Sequence, residues 1–357
     1  MNTVIKKRRA KKVSLPKTLT VEMPRVMAGR WPPKNCEEIG RGGEAVVYRL
    51  NQSIVAKVFL NNKAPEYKDD EQLQEASKMR IEEMQEKLFD FPQGLPQQLV
   101  IPNGVLVRKN KEVFGYTMPM IEGVSLEKLT RTDSILTPAM LRNLLYSLHD
   151  LVTELHSKGV VIGDFNESNV IVKDSMPYLI DSDSMQFGRW QCRCFMPRFV
   201  DPEILGFKKG KAVVNIPQVK KSTKGCNCDE CVAQRERVFQ EQKKLREEMI
   251  EQAKKNLPLE FTMVKGHSQQ GDWYSFLVIA MRLITFTDPY GGVLPGKDLV
   301  ERIKERITVF NPNVVYPLVA KPLATVPRPI LEMFFKAFHL GERFVPPREL
   351  FNSLVAS

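Results

Sequence analysis

The stretch "VVIGDFNESNVIVKDSMPYLIDSDS", Val160 to Ser184, sets two runs rich in β-branched residues beside polar turns, and into those turns fall Asp164, Asn169, Asp181 and Asp183. A lone carboxylate at a turn is ordinarily a solvated cap. Two successive turns that both carry oxygen ligands ask for a common purpose, and the rest of the chain has to supply it.

The chain has 357 residues, 43% of them hydrophobic, enough for one two-lobed domain or two smaller ones with a sizeable core. Its longest apolar stretch, "YSFLVIAMRLITF" from Tyr274, carries Arg282 and is too short to span a bilayer. "MNTVIKKRRAKK" has basic residues with no apolar core behind them, so no signal peptide is read there. A soluble, cytoplasmic protein without a membrane partner is expected, with its six cysteines as thiols or metal ligands.

The formal charge of +11 is concentrated at one end, since residues 1–34 hold ten basic residues against Glu22 alone. Such an arm is expected to be flexible. It is either simply solvated or in contact with nucleic acid or another polyanion, and no aromatic residues interleave the basic cluster to stack on bases.

"EEIGRGGEAVVYRL" reads as a hairpin turning at Gly40–Gly43, and "SIVAKVFL" as the next strand. Glycines at such a turn let backbone amides approach phosphate oxygens. Lys57, inside "VAKVF", needs an anionic partner if its strand face is buried. The helical stretch "DDEQLQEASKMRIEEMQEKLF" offers one: with Leu73, Ala76, Met79 and Met84 taken as the packed stripe, Glu75 borders it and is expected to pair with Lys57, while Glu82 and Glu83 are assigned to solvent. Two further strands lie between Val100 and Leu129. After them "TPAMLRNLLYSLHDLVTELHSKG" reads as a helix capped by Thr137, with Pro138 in the first turn and Leu141, Leu144, Leu145, Leu148, Val152 and Leu155 on one face. Strands first and helices afterwards predict a small β lobe (about 35–118), a crossing (about 119–124) and a larger α lobe (about 125–357), with a ligand cleft between the lobes.

This ordered series resembles the eukaryotic-type protein-kinase superfamily, whose parts are a glycine-rich loop, a strand lysine, a helix glutamate, a catalytic loop and a metal-binding loop. The likeness spans roughly residues 36–355. "LHSKGVVIGDFNESNVIV" is similar to the catalytic loop and "YLIDSDS" to the metal loop. "FVDPEIL" resembles the Pro-Glu segment (Pro202, Glu203), "GDWYSFLVIAMRLI" the helix opening with Asp272 and Trp273, and "HLGERFVP" supplies Arg343 where the family pairs an arginine with that glutamate. The resemblance implies an α+β, bilobal protein-kinase-like fold and an ATP-dependent Ser/Thr protein kinase acting on a protein substrate. Gly40, Gly42, Gly43, Ala45 and Val47 would line the phosphates, and Met118, Pro119, Met120 and Ile121 the rest of the nucleotide. Lys57 would hold phosphate and Glu75 orient it. Asp164 would accept the hydroxyl proton, Asn166 contact the γ-phosphate, and Asn169 and Asp181 bind Mg2+.

The departures are also informative. Ile162-Gly163 replaces the His-Arg pair, Asn166 stands for a lysine, Ala45 for the third glycine, and Ser182-Asp183 for Phe-Gly, a pattern similar to divergent bacterial or phage branches. The competing expectation is a pseudokinase or nucleotide-binding scaffold, against which stands the presence of Lys57, Asp164, Asn169 and Asp181. The segment of about 208–268 is longer than the family needs and carries Cys226, Cys228 and Cys231 ahead of a charged helix, with Cys192 and Cys194 upstream. These five thiols suggest a structural zinc site; reduced, metal-free thiols are the alternative.

Overall fold

The computed structural model describes residues 25–27, 31–33, 36–130, 136–210, 228–255 and 259–355. It is a mixed α+β protein that divides into two compact units, residues 1–123 with 178–183, and residues 124–177 with 184–357. Most of the basic arm thus lies outside the described residues.

The first unit is a six-stranded sheet with one long helix. Its elements are β1 (Arg25–Met27), β2 (Glu37–Arg41), β3 (Ala45–Arg49), β4 (Ile54–Phe59), α1 (Glu71–Lys87), β5 (Gly104–Val107) and β6 (Val113–Pro119). The strand order is β1-β5-β6-β4-β3-β2, antiparallel throughout except that β1 runs parallel to β5. Part of the segment expected as an arm is tied to the sheet: Arg25–Met27 pair with Val105–Val107, and Trp31 packs edge-on against Phe114 at 5.7 Å. Backbone pairing and an aromatic anchor outweigh the local basic composition.

The helix begins at Asp70, whose carboxylate caps the amides of Gln72 and Leu73 at 2.9 and 3.0 Å. Its packed face differs from the expected one. Leu73 and Met79 are exposed, and Ser77, Ile81, Met84 and Leu88 turn inward, at the 3.6-residue period but in a different phase. Met84 and Leu88 join a core with Ala45, Val55, Phe59, Val105, Val113, Tyr116 and Met118.

The second unit carries β7 (Val124–Ser125), α2 (Leu126–Leu129), α3 (Pro138–Ser157) and β8 (Val170–Lys173); β9 (Met176–Leu179) leads the chain into the first unit. Then follow β10 (Leu205–Lys209), α4 (Asp229–Lys255), β11 (Leu259–Met263), α5 (Gln269–Thr285), α6 (Leu299–Lys304) and α7 (Arg328–Phe334). The sequence reading of α3 holds in full: Thr137 Oγ1 accepts the Met140 amide at 3.2 Å, and all six expected leucine and valine positions are buried. α5 is buried almost along its whole length and packs Trp273 against His149 at 4.7 Å and Phe276 edge-on to Phe351 at 5.9 Å.

The long segment between β10 and β11 is closed at its base. β10 and β11 pair antiparallel from Leu205↔Met263 to Lys209↔Leu259, and their apolar side chains join Val200, Ile204, Tyr290 and Ile303 in a second core. Among the described residues no helix is long and apolar enough to cross a membrane.

Candidate functional site

In the first unit the chemistry gathers around Lys57 on β4, a strand flanked on both sides by its neighbours β3 and β6. Val47 and Tyr116 stand directly opposite Lys57 across the two strand pairs, so the three side chains share one face of the sheet. The 98–100 segment pins the 178–183 stretch to the same unit. Leu179 N donates to Gln98 O and Val100 N to Leu179 O, both at 2.8 Å, and the Ser182 hydroxyl donates to Val100 O at 2.7 Å.

Asp181 then adopts a left-handed backbone, φ +65°, and its carboxylate accepts from Lys57 Nζ. Asp183 Oδ1 accepts from Lys57 Nζ at 2.7 Å and from the Tyr116 hydroxyl at 2.7 Å. Burial opposes a charged lysine, but Asp181 and Asp183 outweigh it and hold the Lys57 pKa well above its usual range. Burial alone would raise Asp183; Lys57, the Tyr116 hydroxyl and the ammonium of Lys87 together keep it below the ordinary carboxylate value.

The expected Lys57–Glu75 pair is not formed. Glu75 is exposed and pairs with Lys78 one turn on at 2.9 Å, because the phase of α1 points it away from the sheet. The inward acid of this helix is Glu83, assigned to solvent from sequence, which lies 3.8 Å from the buried Lys87. The missed signal was the spacing of Ser77, Ile81, Met84 and Leu88, which competes with the stripe begun by Leu73.

The glycine turn falls at the expected place, with Gly42 N donating to Ala45 O at 2.9 Å and the Tyr67 hydroxyl bonded to Gly43 O at 2.5 Å. None of Gly40, Gly42 and Gly43 has a positive φ, and a Cβ added at Gly43 would meet nothing within 4 Å. The fold itself therefore does not demand glycine at Gly43. Ala45 is buried in the core, with Val47 packed against it. Met118 pairs with Val55 in that core, Pro119 is exposed, and Met120 and Ile121 are half-buried against the same cluster.

In the second unit Asp164 sits on a loop held from behind by α5. Asp272 Oδ2 and Oδ1 accept the amides of Ile162 and Gly163, each at 2.8 Å, and His156 Nε2 donates to the same carboxylate at 2.9 Å. Gly163 has φ +75°, and a Cβ there would lie 2.6 Å from Cys192 Sγ, so this position admits only glycine. Beyond Asp164, Glu167 is fastened by Arg282 through Nε–Oε2 at 2.6 Å and Nη2–Oε1 at 2.8 Å. Asp164 is half-buried on this braced loop, a carboxylate that can accept a proton.

Asn169 Nδ2 donates to the Asp164 carbonyl at 2.9 Å, which leaves its oxygen end as the one suited to a cation. Asn166, expected to touch a phosphate, is only 2% exposed. Its amide donates to Asp164 Oδ1 at 3.1 Å and its oxygen accepts the Ser168 amide at 2.9 Å, so both ends are used inside the loop. Here it orders Asp164 instead of presenting itself to a ligand.

Carboxylate and amide oxygens at Asp181 and Asn169 are the hard donors that magnesium prefers. Among the described residues, no group of three or more His, Cys, Asp and Glu is arranged to hold a metal. Cys192 is buried against Gly163, Cys194 is half-buried and Cys228 is exposed ahead of α4. Cys226 and the side chain of Cys231 lie outside the described residues, so two of the five expected zinc ligands fall beyond them.

No family model matches this chain, and no curated protein matches it.

Proposed function

We propose that the chain is an ATP-dependent protein kinase transferring the γ-phosphate to a Ser/Thr hydroxyl. The observation that carries this is the enclosed Lys57, paired with the carboxylate of Asp181, which is the acid that the resemblance of "YLIDSDS" to a metal loop assigns to magnesium. A largely enclosed lysine on a central strand, its charge held by loop carboxylates, is suited to bind phosphate once a cation draws a carboxylate away.

The residues take separate parts. Lys57 binds phosphate oxygens, and the open turn at Gly43 brings the backbone close to them. Asp164 accepts the proton of the attacking hydroxyl, and Asn166 fixes its carboxylate for that task. Asn169 and Asp181 are each assigned to magnesium, which would neutralise phosphate charge during transfer. Asp272 and Arg282 touch neither substrate; they keep the loop of Asp164 in shape.

The test is incubation of purified protein with labelled ATP, magnesium and a mixed Ser/Thr peptide library, beside Asp164→Asn and Lys57→Met. The wild type should incorporate label. Asp164→Asn should lose about 10²–10⁴-fold in rate while still showing an ATP-dependent rise in melting temperature, and Lys57→Met should lose both. A wild type that binds ATP but transfers nothing would instead support a nucleotide-binding scaffold, and one that does neither would sink both assignments.

A further inference from the structure

We propose that Asp183, and not a glutamate of the helix, is the positioning residue for Lys57, and that Asp181 is the exchangeable partner that leaves the lysine for a divalent cation. The proposal rests on the phosphotransfer assignment and divides labour between two acids that stand two residues apart.

The two carboxylates differ in enclosure. The Asp183 side chain is 6% exposed and that of Asp181 is 30% exposed, though both pair with the same ammonium. Asp183 is gripped from several elements: Lys57 on β4, Tyr116 on β6, and the charge of Lys87 on α1. Tyr116 is fully buried and stands opposite Lys57 in the strand register, so its hydroxyl and the ammonium converge on one oxygen. Removing this carboxylate from its partners would strand a buried charge and a buried hydroxyl, which makes it a fixed anchor.

Asp181 is better suited to exchange. Its carboxylate is nearly one-third exposed, so a hydrated cation approaching from solvent would find an oxygen ligand within reach. When Asp181 turns to the metal, Lys57 keeps one carboxylate and its remaining N–H donors face phosphate. No glutamate of α1 needs to perform that service. Glu75 is exposed beside Lys78, and Glu83 lies against Lys87, which itself reaches Asp183 electrostatically. The acid that replaces glycine in "DSDS" thus supplies what the helix does not.

The experiment compares Asp183→Asn, Asp181→Asn and Tyr116→Phe with wild type. Initial rates are measured with ATP varied at several fixed concentrations of free magnesium. Asp183→Asn should raise the KM for ATP roughly tenfold at every magnesium concentration, as expected for a lost charge-assisted contact. Asp181→Asn should instead raise the magnesium requirement. A second readout uses no nucleotide: acetylation of the Lys57 amine, followed by peptide mass spectrometry, should be faster in Asp183→Asn than in wild type. Should Asp183→Asn fail to fold, Tyr116→Phe, which keeps every charge, should raise KM a few-fold. A wild-type KM in Asp183→Asn, or in Tyr116→Phe if that variant carries the test, together with wild-type labelling of Lys57, overturns the proposal. If the wild type turns over no ATP, the phosphotransfer assignment falls and this one with it, which is a different result.

Discussion

The guanidinium of Arg343 grips the carboxylate of Asp201 through two parallel hydrogen bonds, Nε to Oδ2 at 2.6 Å and Nη2 to Oδ1 at 2.7 Å. Asp201 also caps the short turn that follows it, accepting the amide of Glu203 at 3.0 Å. The arginine further lies 4.6 Å over the ring of Tyr274 and donates to Ala337 O at 3.1 Å. Glu203, expected from sequence to be the partner, is near the surface and approaches Arg306 at 3.9 Å. The turn at Pro202 directs Glu203 outward and leaves Asp201 facing the core.

Arg343→Ala should therefore lower stability by roughly 3–5 kcal/mol, because it strands the buried Asp201. Glu203→Ala should change it by less than about 0.5 kcal/mol, as for an exposed pair. Denaturant melts of the two variants decide the matter, and equal losses would restore Glu203 as the structural partner.

Removing the Asp272 carboxylate leaves two buried amides without an acceptor, each costing about 1–3 kcal/mol. In Asp272→Ala, hydrogen exchange at Ile162 and Gly163 should accelerate well beyond that of the amides of α3. Protection that survives at those two positions would show that the loop is held by other means.

Gly163→Ala should destabilise the second unit by at least about 2 kcal/mol, of which the left-handed backbone accounts for roughly 1–2 kcal/mol and the overlap with Cys192 for the rest. A control at Gly159, also at positive φ but with nothing within 4 Å of an added Cβ, should lose only the backbone part. Thermal melts that rank the two variants the other way would contradict the packing of Cys192 on Gly163.

The strand pair Lys209↔Leu259 brings together the two ends of the segment between β10 and β11. Replacing residues 210–258 by Asn-Gly should let β10 and β11 close as a tight hairpin and leave the melting temperature within a few degrees of wild type. A variant that aggregates or melts far lower would mean that α4 and its flanking residues contribute to the core.

Burial lowers the pKa of both His149 and His267 from the ordinary value of 6.5, against the hydrogen bonds they donate to Pro346 O and Cys194 O. The folded protein thus resists a proton that the unfolded chain accepts. This contribution to stability is fully present above pH 6.5 and is lost as pH falls through the lowered folded values. Melting temperature should drop as pH falls below about 6.5, and a His149→Gln, His267→Gln double variant should flatten that slope. An unaltered slope would assign it to other groups.

Local pattern was enough for much of this protein. The capped, six-position stripe of α3, the glycine turn between β2 and β3, and the runs that make β4 and β6 strands are each written in consecutive residues, because propensity and period act over a few positions. Asp164, Asn166 and Asn169 are likewise neighbours in one loop. What local pattern could not decide was which partner each charge takes. The helix α1 carries two apolar stripes that fit the same period, and only the sheet beneath it selects Ser77, Ile81, Met84 and Leu88 over Leu73 and Met79, turning Glu75 to solvent. The loop from Tyr178 to Asp183 belongs to the first unit because backbone bonds to residues 98–100 hold it there, which puts Asp183 rather than Glu75 on Lys57. Arg343 likewise finds Asp201, 142 positions away, because the Pro202 turn aims it inward. Ion pairs of this kind are set by strand register, helix rotation and burial, all of which depend on contacts between segments far apart in the chain, so they first exist when the chain is folded.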